Sequence, residues 1–137
     1  MVVVTGPRQS GKSTLVKHAF PDQHYVSLED LDQSEFAETN PRGFLNQFSG
    51  GAILDEAQRC PALFSYLQTR VDERQQPGAF ILTGSQQFGL LSGITQSLAG
   101  RAALLTLLPM TYGELQRSGK IGNNLDKILF DGAYPPI

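Results

Sequence analysis

Residues 6–13 read Gly6-Pro7-Arg8-Gln9-Ser10-Gly11-Lys12-Ser13, directly after the apolar run Val2-Val3-Val4. The pattern G-x-x-x-x-G-K-[ST] carries meaning only when a strand feeds it and a helix leaves it. Both flanks fit. Val2 to Val4 is a β-branched run suited to a buried parallel strand. From Ser13 to Phe20, apolar residues at 15, 16, 19 and 20 have helical spacing. A chance glycine-rich turn is the alternative, and it would not explain both flanks together.

The residue types describe a cradle for phosphate. Gly6 and Gly11 permit backbone angles and close approach that a side chain would block. Backbone N–H groups then converge at a helix N-terminus, where negative charge is favoured. Lys12 offers a compact charge to β- and γ-phosphates, and Ser13 offers a hydroxyl to Mg²⁺. Thr14 is placed to reach an α-phosphate. The expected nucleotide-binding set is therefore Gly6, Pro7, Arg8, Gln9, Ser10, Gly11, Lys12, Ser13 and Thr14, with the Arg8 side chain solvated.

Outward from the loop, strand and helix alternate, which predicts a parallel sheet with helices on both faces. Strands are expected at about Val2–Thr5, Tyr25–Leu28, Ala52–Leu54, Ala79–Leu82 and Ala102–Leu108. The last is nearly continuous in apolar residues and is expected to be buried on both faces. Helices are expected from Gly11 to Phe20 and from Leu31 to Ala37, the latter capped by Asp30 with Gln33 three residues on. Another starts at Asn40-Pro41 and ends by Ser49-Gly50-Gly51, and one opens at Pro61 with Leu63, Leu67 and Val71 on one face. Two more are expected near Tyr112–Arg117 and Leu125–Phe130, and a polar connection from Ser85 to Gly100.

Ligands of such sheets sit at the carboxyl ends of strands. Ile53-Leu54-Asp55-Glu56 ends a strand in two carboxylates. Asp55 is expected to hold Mg²⁺ with Ser13, and Glu56 to polarise a water attacking the γ-phosphate. A solvated acidic pair is the alternative. Ser85, or else Thr83 or Gln86, would hydrogen-bond the γ-phosphate; an ordinary Thr-Gly-Ser turn is the alternative there. Arg101 follows Gly100. It would stabilise charge on a transferring phosphoryl group, within the chain or from a neighbouring subunit, or else pair with a local carboxylate. Gln58 is placed to orient Glu56. His18 and His24 lack metal-ligand spacing, and Phe64 and Tyr66 read as packing residues.

Bulk properties narrow the setting. The 137 residues are one domain's worth, 40% hydrophobic and 18% charged, with a formal net charge of −2. That balance does not indicate a broad nucleic-acid footprint. Cys60 is the single cysteine, so no internal disulfide forms, and a reducing cytoplasm is the expected location. No run approaches a membrane span, and no secretory leader is read ahead of the loop. Both ends read as cut, since Met1 abuts the first strand and Tyr134-Pro135-Pro136-Ile137 is an extended exit.

Five strings in order now carry a resemblance: the loop through Thr14; Leu54-Asp55-Glu56-Ala57-Gln58; Ile81-Leu82-Thr83-Gly84-Ser85-Gln86; Ser97-Leu98-Ala99-Gly100-Arg101; and Leu108-Pro109-Met110-Thr111-Tyr112-Gly113-Glu114-Leu115. Together they resemble prokaryotic AAA-type P-loop ATPases that carry an additional C-terminal domain of uncharacterised function. The resemblance spans nearly the whole sequence. It implies an α/β P-loop NTPase fold, a three-layer sandwich with a parallel five-stranded sheet in the order 5-1-4-3-2. It implies ATP and Mg²⁺ on Lys12 and Ser13, the metal on Asp55, the base at Glu56, a sensor near Ser85, and a bacterial or archaeal source. Members have a segment ahead of the first strand and a domain after the Tyr-Pro element. The expectation for 1–137 is thus a single ATPase core, with ATP held weakly and turned over slowly.

Three functions fit these residues. One is Mg-dependent ATP hydrolysis moving a partner or the chain's own C-terminal domain, with a homo-oligomer as one assembly. The second is an ATP-dependent binding switch for a protein or DNA partner with little turnover. The third is a small-molecule kinase, disfavoured by the Asp55-Glu56 pair and by the lack of an arginine-rich lid. No Asn-Lys-x-Asp guanine-reading string is present, which favours ATP over GTP.

Overall fold

The structure is a computed structural model and describes residues 1–85, 88–119 and 125–134. Five parallel strands form one sheet: β1 (Val2–Gly6), β2 (His24–Ser27), β3 (Ala52–Asp55), β4 (Phe80–Ser85) and β5 (Ala103–Thr106). Their spatial order is β2-β3-β4-β1-β5, the expected 5-1-4-3-2 read from the other edge. The register aligns Gly6 with Ser85 and Ser27 with Asp55, so the ends of β1 to β4 share one edge.

Alternation along the strands fixes the layers. Val3, Leu54 and Leu82 face one side and pack in a core with Phe44, Leu63, Leu67, Leu90 and Leu98. Those partners come from α3 (Pro41–Asn46), α4 (Ala62–Arg74), α5 (Phe88–Ser97) and the turn after it. Val4, Ile53 and Ile81 face the other side and pack on Val16 of α1 (Lys12–Ala19). The result is three layers.

Local signals account for the starts of three helices. Asp30 caps α2 (Leu31–Thr39), accepting from the backbone N–H groups of Asp32 and Gln33. Asn40 caps α3, with Pro41 in its first turn. Thr111 and Glu114 form a reciprocal capping box on α6 (Tyr112–Arg117). The chain also has α7 (Leu125–Asp131).

Two expectations are corrected. The stretch read as a connection contains helix α5. Gly93, a poor helix former, hides it in the sequence, yet its missing side chain lets α5 approach α4. A Cβ there would sit 2.8 Å from the Phe64 ring. The second correction is β5. It is shorter than expected and lies at the sheet's edge with all four residues exposed, Leu104 by 48% and Leu105 by 56%. An apolar run marks a strand suited to burial, but strand order decides whether anything covers it. Among the described residues, no helix is long and apolar enough to cross a membrane.

Candidate functional site

The loop between β1 and α1 turns on three residues with positive φ: Gly6 at 153°, Gln9 at 60° and Gly11 at 92°. At Gly6 a Cβ would overlap the carbonyl oxygen of Leu107, where the chain leaves β5, so only glycine fits. Gly11 is the N-cap of α1 and supplies no side-chain cap, and the first turn holds no acidic residue. The opening N–H groups of α1 therefore face the loop without a side-chain acceptor. Ser10 Oγ is buried and has no hydrogen-bond partner among the described residues. A buried orphan hydroxyl beside such a helix start matches a phosphate oxygen in chemistry and place.

Lys12 is buried and donates from Nζ to the carbonyl oxygens of Gly6 (3.2 Å) and Pro7 (2.7 Å). Burial pulls its pKa below the ordinary value, while Glu56 and Asp55 oppose the shift. The ammonium is thus held inside the loop by two neutral carbonyls, a grip that an anion would outcompete.

Asp55, at the end of β3, is buried and takes three hydroxyl donors. Ser13 Oγ lies 3.0 Å from Oδ1 and 2.9 Å from Oδ2. Thr83 donates to Oδ1 and Tyr25 to Oδ2. Ser13 and Asp55 form a pair of hard oxygens at the helix start, a donor set suited to Mg²⁺, which keeps several waters and needs few protein ligands. Among the described residues, no group of three or more His, Cys, Asp or Glu converges as a self-sufficient metal site.

Glu56 begins the next turn in the left-handed conformation (φ 57°, ψ 45°). Its N–H points to Thr83 Oγ1 at 3.4 Å, and its carboxylate accepts from Gln58 Nε2. Gln58 Nε2 also donates to Ser85 Oγ at 3.2 Å. The structure therefore gathers Lys12, Ser13, Asp55, Glu56 and Ser85 at one edge. Thr14 and Arg8 are exposed, with Arg8 3.8 Å from Glu29. Gln86 lies outside the described residues.

Arg101 is the exception. It lies just ahead of β5, at the opposite edge of the sheet from the loop, and its carbonyl accepts from the Met1 amine at 3.3 Å. Its guanidinium holds Asp72 in two hydrogen bonds, 2.7 Å from Nε to Oδ1 and 3.0 Å from Nη2 to Oδ2. That pairing holds the Asp72 carboxyl below its usual range. Within one chain Arg101 is a salt-bridge partner, not a member of the cluster. The sequence reading also passed over Tyr25. Its strand was expected, but only the β2–β3 register shows that its hydroxyl reaches Asp55.

Other features stand apart. A cavity of about 480 Å³ opens between α3 and α4, lined by Arg42, Asn46, Tyr66 and Arg70 among others, and shares no residue with the cluster. Cys60 is buried, its thiol 3.7 Å from the Ser34 carbonyl, and burial pushes its pKa up to about 11.

Comparison with known proteins bears on the family and the fold. A family model for an AAA domain matches residues 1–116. Uncharacterised proteins of Mycobacterium bovis and Mycobacterium tuberculosis are each 34% identical over 139 aligned residues, covering 99% of this chain. The chain spans 30% of the length of those relatives. The solved structure of PCH-2 from C. elegans superposes with a TM-score of 0.51 over 90% of this chain and 41% of its own, at 17% identity, a likeness of fold. The chain belongs to the AAA family, and membership supports nucleotide binding of the ATPase type.

Proposed function

We propose that this domain binds ATP with Mg²⁺ on residues 6–14 and hydrolyses it, and that hydrolysis moves an adjacent domain or partner of a longer protein. The observation that carries the reading is the 2.9–3.0 Å contact of Ser13 with Asp55 beside the phosphate loop, with Glu56 and Ser85 bridged by Gln58 next to it. The loop amides and Ser10 receive the phosphates. Lys12 exchanges two carbonyl partners for β- and γ-phosphate oxygens. Mg²⁺, held by Ser13 and Asp55, would neutralise charge on those oxygens. Glu56 accepts a proton from the attacking water, and Ser85 hydrogen-bonds near the γ-phosphate.

Residues 1–137 act as one nucleotide-binding unit, with weak binding and slow turnover expected of this span alone. Titration with a fluorescent ATP analogue, with and without Mg²⁺, tests the binding. The substitution Glu56→Gln is expected to keep binding and to lower turnover by at least about 100-fold, the scale of a lost general base. Turnover that survives it would overturn the assignment of the base.

The exposed apolar residues of β5 and α7 support a second reading, in which ATP orders a surface for a partner and turnover is incidental. A partner retained equally by wild type and Glu56→Gln, and only with ATP, would favour that reading.

A further inference from the structure

Tyr25 stands outside the motifs that describe the site. It lies on β2 opposite Ile53 of β3. Side chains two residues apart on a strand share a face, so Ile53, Asp55 and Tyr25 all face α1. Two residues of strand advance about 6.6 Å, which is the reach of a tyrosine side chain. The ring lies along the strand, and its hydroxyl donates to Asp55 Oδ2. Above the ring sits Lys17 of α1, with Nζ 3.7 Å from the centroid. Lys17 is one helical turn after Ser13. The tyrosine thus bridges the helix that carries Ser13 and the strand that carries Asp55.

The acceptor arithmetic of Asp55 gives this bridge a purpose. A carboxylate offers about four lone-pair sites. Thr83 of β4 takes Oδ1, Tyr25 of β2 takes Oδ2, and Ser13 lies between them on both oxygens. The two flanking hydroxyls fix the plane of the carboxylate from either side. Ser13 is the partner free to turn toward a cation, and the carboxylate stays aimed when it does. Partners of this kind orient metal-binding carboxylates, and their loss typically weakens metal affinity by 10–100-fold.

We infer that Tyr25 is a positioning residue for the divalent cation of the bound nucleotide, holding Asp55 at Oδ2 so that its oxygens meet the metal beside Ser13. The inference rests on the Mg²⁺–nucleotide reading of the site. The Tyr25 hydroxyl meets Asp55 and the Ser13 hydroxyl, the two groups assigned to the metal, so the residue acts on the metal-dependent part of binding.

The test is Tyr25→Phe, which keeps the ring, its packing and the Lys17 contact and removes only the hydroxyl. Affinity for a fluorescent ADP or ATP analogue is measured in EDTA and across a Mg²⁺ titration, with thermal melting as a check on the fold. Wild type is expected to bind tighter with Mg²⁺. In the variant, the Mg²⁺ midpoint is expected to rise about tenfold while affinity in EDTA stays within twofold. Repeating the titration with Mn²⁺ should show the same displacement. An unchanged midpoint overturns the role of Tyr25 and leaves the nucleotide reading standing. Equal losses with and without metal overturn it too, because they indicate a structural role only. Wild-type binding that ignores Mg²⁺ overturns both.

Discussion

Glu56 and Asp55 are neighbours in sequence with opposite surroundings. Asp55 is buried under three hydroxyls, whereas Glu56 has turned through a left-handed residue and holds Gln58. Such a turn is uncommon for a residue with a side chain and concentrates at functional sites. It separates two adjacent carboxylates into two environments, one under hydroxyls and the other against an amide. Cys60 makes the contrasting case of a reactive group kept quiet. Its thiol is pushed up to about 11 from an ordinary 9.0, so the thiolate is scarce in the folded chain. The stability owed to the protonated thiol is whole below pH 9.0 and is lost as pH rises through about 11. Alkylation by iodoacetamide near neutral pH should be slow in buffer and should accelerate across the urea transition. Fast labelling of the native protein would contradict the buried placement.

At the level of elements, local signals were legible and neighbours were not. The caps at Asp30, Asn40 and Thr111 announce their helices because a side chain satisfies N–H groups a few residues away. The phosphate loop is legible for the same reason, its geometry being written in Gly6 and Gly11. Helix α5 escaped because its glycine at 93 is explained by Phe64 of another helix. Tyr25 escaped because its partner lies on the adjacent strand. The apolar strands β4 and β5 look alike in sequence, but Leu82 is fully buried and Leu105 is 56% exposed. Leu82→Ala should therefore cost about 2–5 kcal/mol in urea unfolding, the range for a large-to-small change in a packed core. Leu105→Ala should cost within about 0.5 kcal/mol in a sample dilute enough to be monomeric, as at other surface positions. Comparable losses at both sites there would mean that β5 is covered within the monomer.

Across the whole molecule, chemistry and apolar exposure are distributed unevenly. The carboxyl edge holds the polar cluster. The β5 side and the helices after it expose Leu104, Leu105, Leu108, Tyr112, Leu129 and Phe130. An edge strand with open backbone groups and exposed leucines is a template for association. Sedimentation of the 137-residue chain should show self-association that Leu105→Lys reduces. A monomer at all concentrations for both proteins would argue against it.

The crossing at Gly6 ties these two regions together. Leu107 donates its N–H to the Thr5 carbonyl at 2.7 Å, and its own carbonyl oxygen fills the space where a side chain of residue 6 would stand. The first residue of the anion cradle therefore has no slack against the outgoing end of the fifth strand. A displacement of the polypeptide at Leu107 would have to be accommodated by the nest of amides within a single peptide's width, and a rearranged nest would in turn have to make room for the outgoing segment.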